Sequence, residues 1–385
     1  MNNYAIVVVA YNRVESLKRL LASLNNAEYF GESVPLIISI DHSGENDVEM
    51  FANEFHWLHG EKTVRTFSQR QGLRNHILKC GEYLQEFEAI AVLEDDVVVA
   101  PGFYAYLKSS VAAYQDDEHI AGISLYNHLW NVNANLPFQP AYSKYDVYFL
   151  QYAQSWGQIW MRKQWNDFMD WYRDNHSGFP EDPDIPAFVL SWPESSWLKY
   201  HIKYCIKKNK FFAYPYKALS TCFSDVGTHC QQKNTLYQVP MPEDIQTDYR
   251  LPAFPNCPVR YDAFFERIWN KPCIANIKPE DLCMDLYGSR PVMPGKKRFL
   301  LSTASYPYKI LSAYALERRP QEVNIIEGIQ GDDIYLYDTK YVEKSKRKNS
   351  NATSSFIYRF RLYNVFHKVI RYVIDKISAR LLRRY

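Results

Sequence analysis

Residues 89–104, A-I-A-V-L-E-D-D-V-V-V-A-P-G-F-Y, constrain this chain more than any other stretch. Five apolar residues without a polar break, Ala89 to Leu93, predict a strand buried on both faces, as in a parallel sheet. The run ends in three carboxylates, Glu94, Asp95 and Asp96, before a second apolar run closed by Pro101-Gly102. Adjacent carboxylates repel one another and are tolerated if solvated or if a cation sits among them. Ligands bind at the carboxyl ends of strands in open α/β sheets. Hard oxygen donors there suit Mg²⁺ or Mn²⁺, and these cations suit a diphosphate. Strand alternation puts Glu94 and Asp96 on one side and Asp95 on the other. A solvated acidic loop is the alternative, and the rest of the chain has to decide between them.

The preceding residues supply the context. Residues 4–10, Y-A-I-V-V-V-A, read as a buried β-branched strand that ends at the polar Tyr11-Asn12-Arg13. Val14, Leu17, Leu20, Leu21 and Leu24 then recur at helical spacing. Residues 35–40 form a second strand ending in Asp41, which suits a ribose or base, or simply a turn. A third strand over 62–67 leads through Q-R-Q-G-L-R-N into a helix. There Gly72 permits close backbone approach, and the helix N-terminus with Arg74 favours an anion; a surface loop and cap is the alternative. This order predicts a nucleotide-binding α/β half with a metal at its sheet edge.

These residues resemble a known family. A-Y-N-R at 10–13, the strand ending in Asp41, G-L-R-N at 72–75 and L-E-D-D-V-V-V-A-P-G-F at 93–103 resemble GT-A glycosyltransferases. The resemblance is strongest to the N-acetylglucosaminyltransferase I-like group and to bacterial family 2-type sugar transferases. It implies a Rossmann-like, mixed but mostly parallel sheet with flanking helices. It implies that Ala10, Tyr11, Asn12, Arg13, Asp41, Gly72 and Arg74 hold a nucleotide-sugar. It also implies that Asp96 touches Mn²⁺ (or Mg²⁺) directly, while Glu94 and Asp95 support the ribose and the metal's water shell. Q-Y-A-Q-S-W-G-Q-I-W at 151–160 resembles the family's S-W-G segment, with Gly157 beside the donor sugar and Trp156 and Trp160 as candidate walls. Both tryptophans are equally readable as core.

Glu194, three residues before Trp197, fills the position of the family's general base. Relatives usually carry Asp there, whereas this chain has Pro-Glu-Ser-Ser; a helix N-cap role for Glu194 or Ser195 is the alternative. C-F-S-D-V-G-T-H-C at 222–230 resembles the closing segment of the family and implies His229 as a second metal ligand. Asp225 and Thr228 are weaker candidates for the same neighbourhood.

The seven Cys lack any C-x-x-C pair, which argues against a disulfide framework or structural zinc and for a reducing compartment. No basic leader precedes the first apolar run, and no run approaches a membrane span. Net charge is unevenly placed: residues 341–385 carry 12 Lys and Arg against 2 acids, and the other 340 residues carry 33 basic and 41 acidic side chains. In the tail, Tyr363, Phe366, Ile370, Val373, Ile377 and Leu381 recur at helical spacing among basic residues. A basic amphipathic helix of this kind suits an anionic membrane surface, or packing on the acidic body. No aromatic-basic RNA motif accompanies it, so nucleic acid is not an expected partner.

The expected domains are 1–130 for the nucleotide-sugar, 131–235 for acceptor and catalysis, 236–340 as a C-terminal extension, and 341–385 as basic linker and tail helix. Within the extension, 298–316 reads as strand then helix, and 322–338 as two short strands around a Gly331-Asp332 turn. The expected function is inverting, metal-dependent transfer from a nucleoside diphosphate sugar, UDP first among nucleotides, to a glycan or lipid-linked acceptor. The expected setting is bacterial surface polysaccharide synthesis on the cytoplasmic face of the membrane. The rivals are a sugar nucleotidyltransferase and a non-catalytic membrane scaffold.

Overall fold

The computed structural model describes residues 3–226, 235–291 and 297–343. The chain divides into two compact units, Met1–Ile268 and Trp269–Tyr385. In the first, strands alternate with helices: β1 Tyr4–Ala10, α1 Val14–Asn25, β2 Leu36–Ile40, α2 Asp47–Glu54, β3 Lys62–Thr66, α3 Gly72–Cys80 and β4 Ala89–Glu94. Next come β5 Val97–Val99, α4 Phe103–Tyr114, β6 Ile120–Ser124 and a small hairpin, β7 Trp130–Asn131 with β8 Leu136–Pro137. The unit finishes with β9 Val147–Leu150, β10 Gln158–Met161, α5 Arg162–Asn175, α6 Ala187–Leu190, α7 Trp197–Lys207, β11 Phe211–Pro215, β12 Ser220–Cys222 and β13 Arg260–Tyr261.

Nine strands form one sheet in the order β13-β9-β11-β6-β10-β4-β1-β2-β3. β1, β2, β3 and β4 are mutually parallel, and β10 enters antiparallel between β4 and β6. The fold is thus a mixed, mostly parallel α/β sheet with flanking helices. All seven residues of β1 are buried, as the unbroken β-branched run requires of a central strand. Each Val or Ile placed there contributes roughly 1.5–3 kcal/mol of burial. α1 buries Leu17, Leu20, Leu21 and Leu24 on one face.

β5 leaves this sheet. It pairs antiparallel with β12 in a separate ribbon, Val97 opposite Cys222 and Val99 opposite Ser220. Asp95 and Asp96 therefore form the turn at which the chain changes sheets. Residues 236–268 lie with the first unit, because β13 adds parallel to β9 and Asp146 accepts from the Arg250 backbone N–H at 2.7 Å.

The second unit holds a four-stranded sheet in the order β14-β15-β17-β16, from β14 Leu282–Asp285, β15 Phe299–Ser302, β16 Tyr308–Tyr314 and β17 Ile334–Val342, with a short helix, α8 Val323–Ile326. Two expectations for this unit are corrected. The stretch expected to be helical before Leu316 is the edge strand β16, and the expected two-strand 322–338 segment is α8 followed by β17. Ile310 and Leu311 are both exposed on β16, so its pattern lacks the alternation that marks a half-buried strand. The tail helix lies outside the described residues. The six described cysteines are free, and no described helix is long and apolar enough to cross a membrane.

The first unit buries a histidine in its aromatic core. His201 on α7 stacks on Phe168 at 4.3 Å and meets Phe212 edge-on, and neither ring nitrogen has a hydrogen-bond partner among the described residues. Burial pushes its pKa down to about 3. The folded state therefore binds fewer protons than the unfolded chain below the usual histidine value, and stability falls as pH drops through that window. Each such histidine contributes a slope of about 1.4 kcal/mol per pH unit. His201→Phe keeps the stacking, so urea unfolding should show that slope reduced by about this amount between about pH 6 and pH 4. An unchanged slope would contradict a neutral, unpartnered His201.

Candidate active site

At the carboxyl ends of β1 and β4 the structure opens a cavity of about 370 Å³. Its wall brings together Ala10, Tyr11, Asn12 and Arg13 from the β1–α1 loop, Asp41 and Gly72, and all three acids, Glu94, Asp95 and Asp96. The centre of this arrangement is Arg13. Its guanidinium pairs with Asp95 and, at 3.2 Å, with Asp96, and it also donates to the Asp225 carbonyl at 3.3 Å. Burial works against the Arg13 charge, but Asp95, Asp96 and Glu94 together raise its pKa.

The acids differ in state. Burial, with Asp96 and Asp95 nearby, pushes the Glu94 carboxyl up to about 8. Burial likewise lifts Asp95 to about 6 against the pull of Arg13. Asp96 spends one oxygen on Arg13, and its other, Oδ1, is buried with no hydrogen-bond partner among the described residues. Among those residues no group of three His, Cys, Asp or Glu side chains is gathered tightly enough to enclose a metal ion.

Asp41 acts on the protein itself. Its two oxygens accept from the backbone N–H groups of Gln71 (2.7 Å) and Gly72 (2.9 Å). This fixes the loop entering α3, where Gly72 takes φ +73°, a conformation that favours glycine. His76, behind this loop, bonds Ser39 at 2.8 Å; burial pushes its pKa down to about 4.

Several predicted residues sit elsewhere. Arg74, expected to face an anion, does not line the cavity. Its guanidinium lies 4.3 Å from the Tyr200 ring and donates to the Tyr172 hydroxyl (2.5 Å) and to the carbonyls of His176 and Glu194 (3.0 Å each). It thereby ties the 191–196 loop to α3. Glu194 is exposed on that loop, and its neighbour Ser195 lines the cavity. The cap of α7 is Ser196, which accepts from Lys199 N–H, rather than Glu194 or Ser195.

Trp156 is half-buried against Tyr237 (4.6 Å, stacked) and Tyr126, outside the cavity wall. Trp160 is core, stacked on Trp165 at 4.0 Å. Gly157 has φ +94°, and a Cβ there would meet Ser220 Oγ at 2.8 Å, so the S-W-G turn packs directly on β12. His229 lies outside the described residues.

Two cavity residues carry more weight than the sequence suggested. Arg70, in the Q-R-Q-G run before α3, lines the cavity with its guanidinium 5.1 Å from the Tyr11 ring. Its basic side chain just ahead of a helix N-terminus was the available signal. Asp225 accepts from Ser16 Oγ at 2.8 Å and pairs with Arg19, joining the 223–226 loop to α1. That pairing spans more than 200 residues, and no local pattern reveals it.

Known proteins share features of this chain. Over 198 residues it is 24% identical to alpha-1,3-mannosyl-glycoprotein 2-beta-N-acetylglucosaminyltransferase of Arabidopsis thaliana. The chain is similar to a glycosyltransferase. The match covers 45% of this chain and 43% of the relative, so it spans less than half of that protein's length. No protein-family model matches. Among solved structures, S. aureus TarS 1-349 in complex with UDP-GlcNAc aligns with a TM-score of 0.38 at 15% identity, covering 61% of this chain and 62% of that one. GalNAc-T7 with UDP, GalNAc and Mn²⁺ gives 0.38 at 15%, covering 56% and 43%. The mannosyltransferase PcManGT of Pyrobaculum calidifontis, with GDP-Man and Mn²⁺, gives 0.33 at 13%, covering 56% and 57%.

Removing Arg13 tests the electrostatics. Arg13→Met leaves the buried Asp95 and the half-buried Asp96 without their cation. Since Arg13 is itself 23% exposed, the expected loss is near the lower end of the usual range, about 3 kcal/mol by urea unfolding. The loss should be greater at pH 8 than at pH 5, where protons replace the missing cation. A change below about 0.5 kcal/mol would show that the acids do not depend on Arg13.

Proposed function

We propose that this chain is an inverting, metal-dependent glycosyltransferase acting on a nucleoside diphosphate sugar, UDP first among the nucleotides. The observation that carries the reading is the cavity wall itself: an Asn-Arg loop, an Asp-anchored Gly loop and three acids meet at the ends of two parallel strands. The donor chemistry of the acids fits a hard cation. Among the described residues, Asp96 offers one unfilled carboxylate oxygen, and Mg²⁺-like ions are commonly held by one or two carboxylates, with water and phosphate completing the shell. Asp96, joined by His229, would hold Mn²⁺ or Mg²⁺, which supplies Lewis-acid stabilisation of the departing diphosphate.

The chain's own residues divide the remaining work. Arg13 keeps Asp95 and Asp96 in place. Arg70 puts positive charge at the cavity next to Tyr11, where a diphosphate gathers negative charge as it leaves. Asp41 orders the Gly72 loop against the nucleotide, and Glu94 supports the ribose. Glu194, on a loop clamped by Arg74, would take the acceptor hydroxyl's proton as that oxygen attacks the anomeric carbon from the face opposite the diphosphate. Trp156 and Gly157 shape the turn behind the donor sugar. The acceptor is a glycan or lipid-linked glycan, and the role is in bacterial surface polysaccharide synthesis. The basic tail brings the enzyme to the inner face of the membrane; the sequence alone supports that step.

Incubation with Mn²⁺ and a panel of nucleotide sugars should release free nucleoside diphosphate, and Asp96→Ala should abolish the release. Glu194→Gln should lower turnover by roughly 100-fold or more without changing nucleotide affinity. Near-normal turnover of that variant would remove Glu194 as the base. No turnover with any donor, with metal-dependent nucleotide binding intact, would favour the scaffold reading instead.

A further inference from the structure

We propose that a second cleft on the first unit, separate from the acid-lined cavity, binds a glycan. The cleft has a volume of about 310 Å³ and is walled by Tyr142, Tyr145, Asp146, Tyr216, Lys217 and Arg250, among others. No step of the proposed reaction uses it.

An aromatic platform defines one side. Tyr142 is 73% exposed, yet its ring lies 5.0 Å from that of Tyr216. Tyr216 is itself fixed. Its ring packs 5.3 Å from Tyr148, its hydroxyl donates to the Ala141 carbonyl at 2.7 Å, and its N–H donates to the Asp146 carbonyl at 3.0 Å. A large apolar face is thus displayed on an ordered backbone rather than buried. Tyrosine offers such a face at low conformational cost.

Planar polar groups define the other side. The Asp146 carboxylate accepts from the Arg250 backbone at 2.7 Å and from its guanidinium at 3.4 Å. The pair holds both groups in place while the guanidinium keeps further donors available. A pyranose ring matches this combination, since its C–H face lies on an aromatic ring and its hydroxyls bridge carboxylate and guanidinium. A polyanion is disfavoured, because Asp146 and Asp244 balance Lys217 and Arg250 around the cleft. A peptide adding as a strand finds no free edge here, since β9 is paired on one side with β11 and on the other with β13.

The cleft is also joined to the proposed site. Leu219, which lines it, accepts from Ala100 N–H at 2.9 Å at one end of the β5–β12 ribbon. At the other end Phe223 N–H donates to the Asp96 carbonyl at 2.9 Å. Three residues of extended chain, Ser220 to Cys222, separate the two, a span of roughly 13 Å. The cleft therefore gives a glycan acceptor a second hold. That role rests on the transferase reading, whereas binding itself does not.

Saturation-transfer NMR on the full chain, without nucleotide or metal, tests binding directly with chitotetraose, cellotetraose and maltotetraose as probes. At least one should receive saturation at its ring protons. Tyr142→Ala and Arg250→Ala should each weaken that binding about tenfold or more. Because both side chains are exposed, thermal unfolding of the variants should match the parent chain. Mn²⁺-dependent UDP binding by the same variants should be unchanged. If none of the three glycans binds, or if binding survives both substitutions, the proposal is wrong. Glycan binding without any metal-dependent nucleotide binding would sink the transferase reading and leave the cleft standing.

Discussion

The Arg13 guanidinium lies between two carboxylates at the end of a fully buried strand, and the rest of the first unit depends on that arrangement. Burying β4 brings Glu94, Asp95 and Asp96 to a turn where Asp95 is buried and the other two are half-buried. Charge of one sign cannot collect there without a cation. Arg13 meets the need for Asp95 and for one oxygen of Asp96, and burial raises the Glu94 pKa. Among the described residues, Asp96 Oδ1 is left buried without a hydrogen-bond partner. The polarity of the cavity is therefore set by how its negative charge is shared out, and the proposed cation would take up the part Arg13 leaves.

Much of this is legible in the amino-acid sequence. β1 and β4 appear as unbroken apolar runs, and β2 as a run broken only by Ser39, because they lie inside a large sheet, where both faces are buried. Parallel topology gathers the polar residues that end these runs at one edge, so A-Y-N-R, Asp41, Gly72 and the three acids group together from strand order alone. Legibility fails where a side chain's role is decided by distant partners. A basic residue at a helix N-terminus suggests an anion, yet Arg74 lies against Tyr200 and Tyr172 and reaches the 191–196 loop. The tyrosines come from α5 and α7, about 100 and 126 positions away, so the local G-L-R-N motif holds no trace of them. The edge strand β16 is hard to read for a different reason: with both Ile310 and Leu311 exposed, it shows neither strand nor helix periodicity cleanly.

Arg74 also changes the picture of the site. A residue expected to touch the donor instead fixes the loop carrying Glu194 to the helix that follows the Asp41-anchored turn. The proposed donor and acceptor sides are thus tied to one another through α3. Asp225 makes a comparable link from the 223–226 loop to α1 through Ser16 and Arg19. These two ties anchor the candidate base loop and the closing loop, whose Ser195 and Asp225 both line the cavity, and neither can be inferred from spacing along the chain.

The central claim is that the turn at Asp95-Asp96 is a cation-assisted nucleotide site organised by Arg13. Calorimetric titration of UDP into the chain, with and without Mn²⁺, tests it most directly when repeated on Asp96→Asn. The account predicts that Mn²⁺ tightens UDP binding to the parent chain by tenfold or more, about 1.4 kcal/mol, and that the variant loses this enhancement. Equal UDP affinity with and without metal in the parent chain, or an undiminished metal effect in Asp96→Asn, would contradict it.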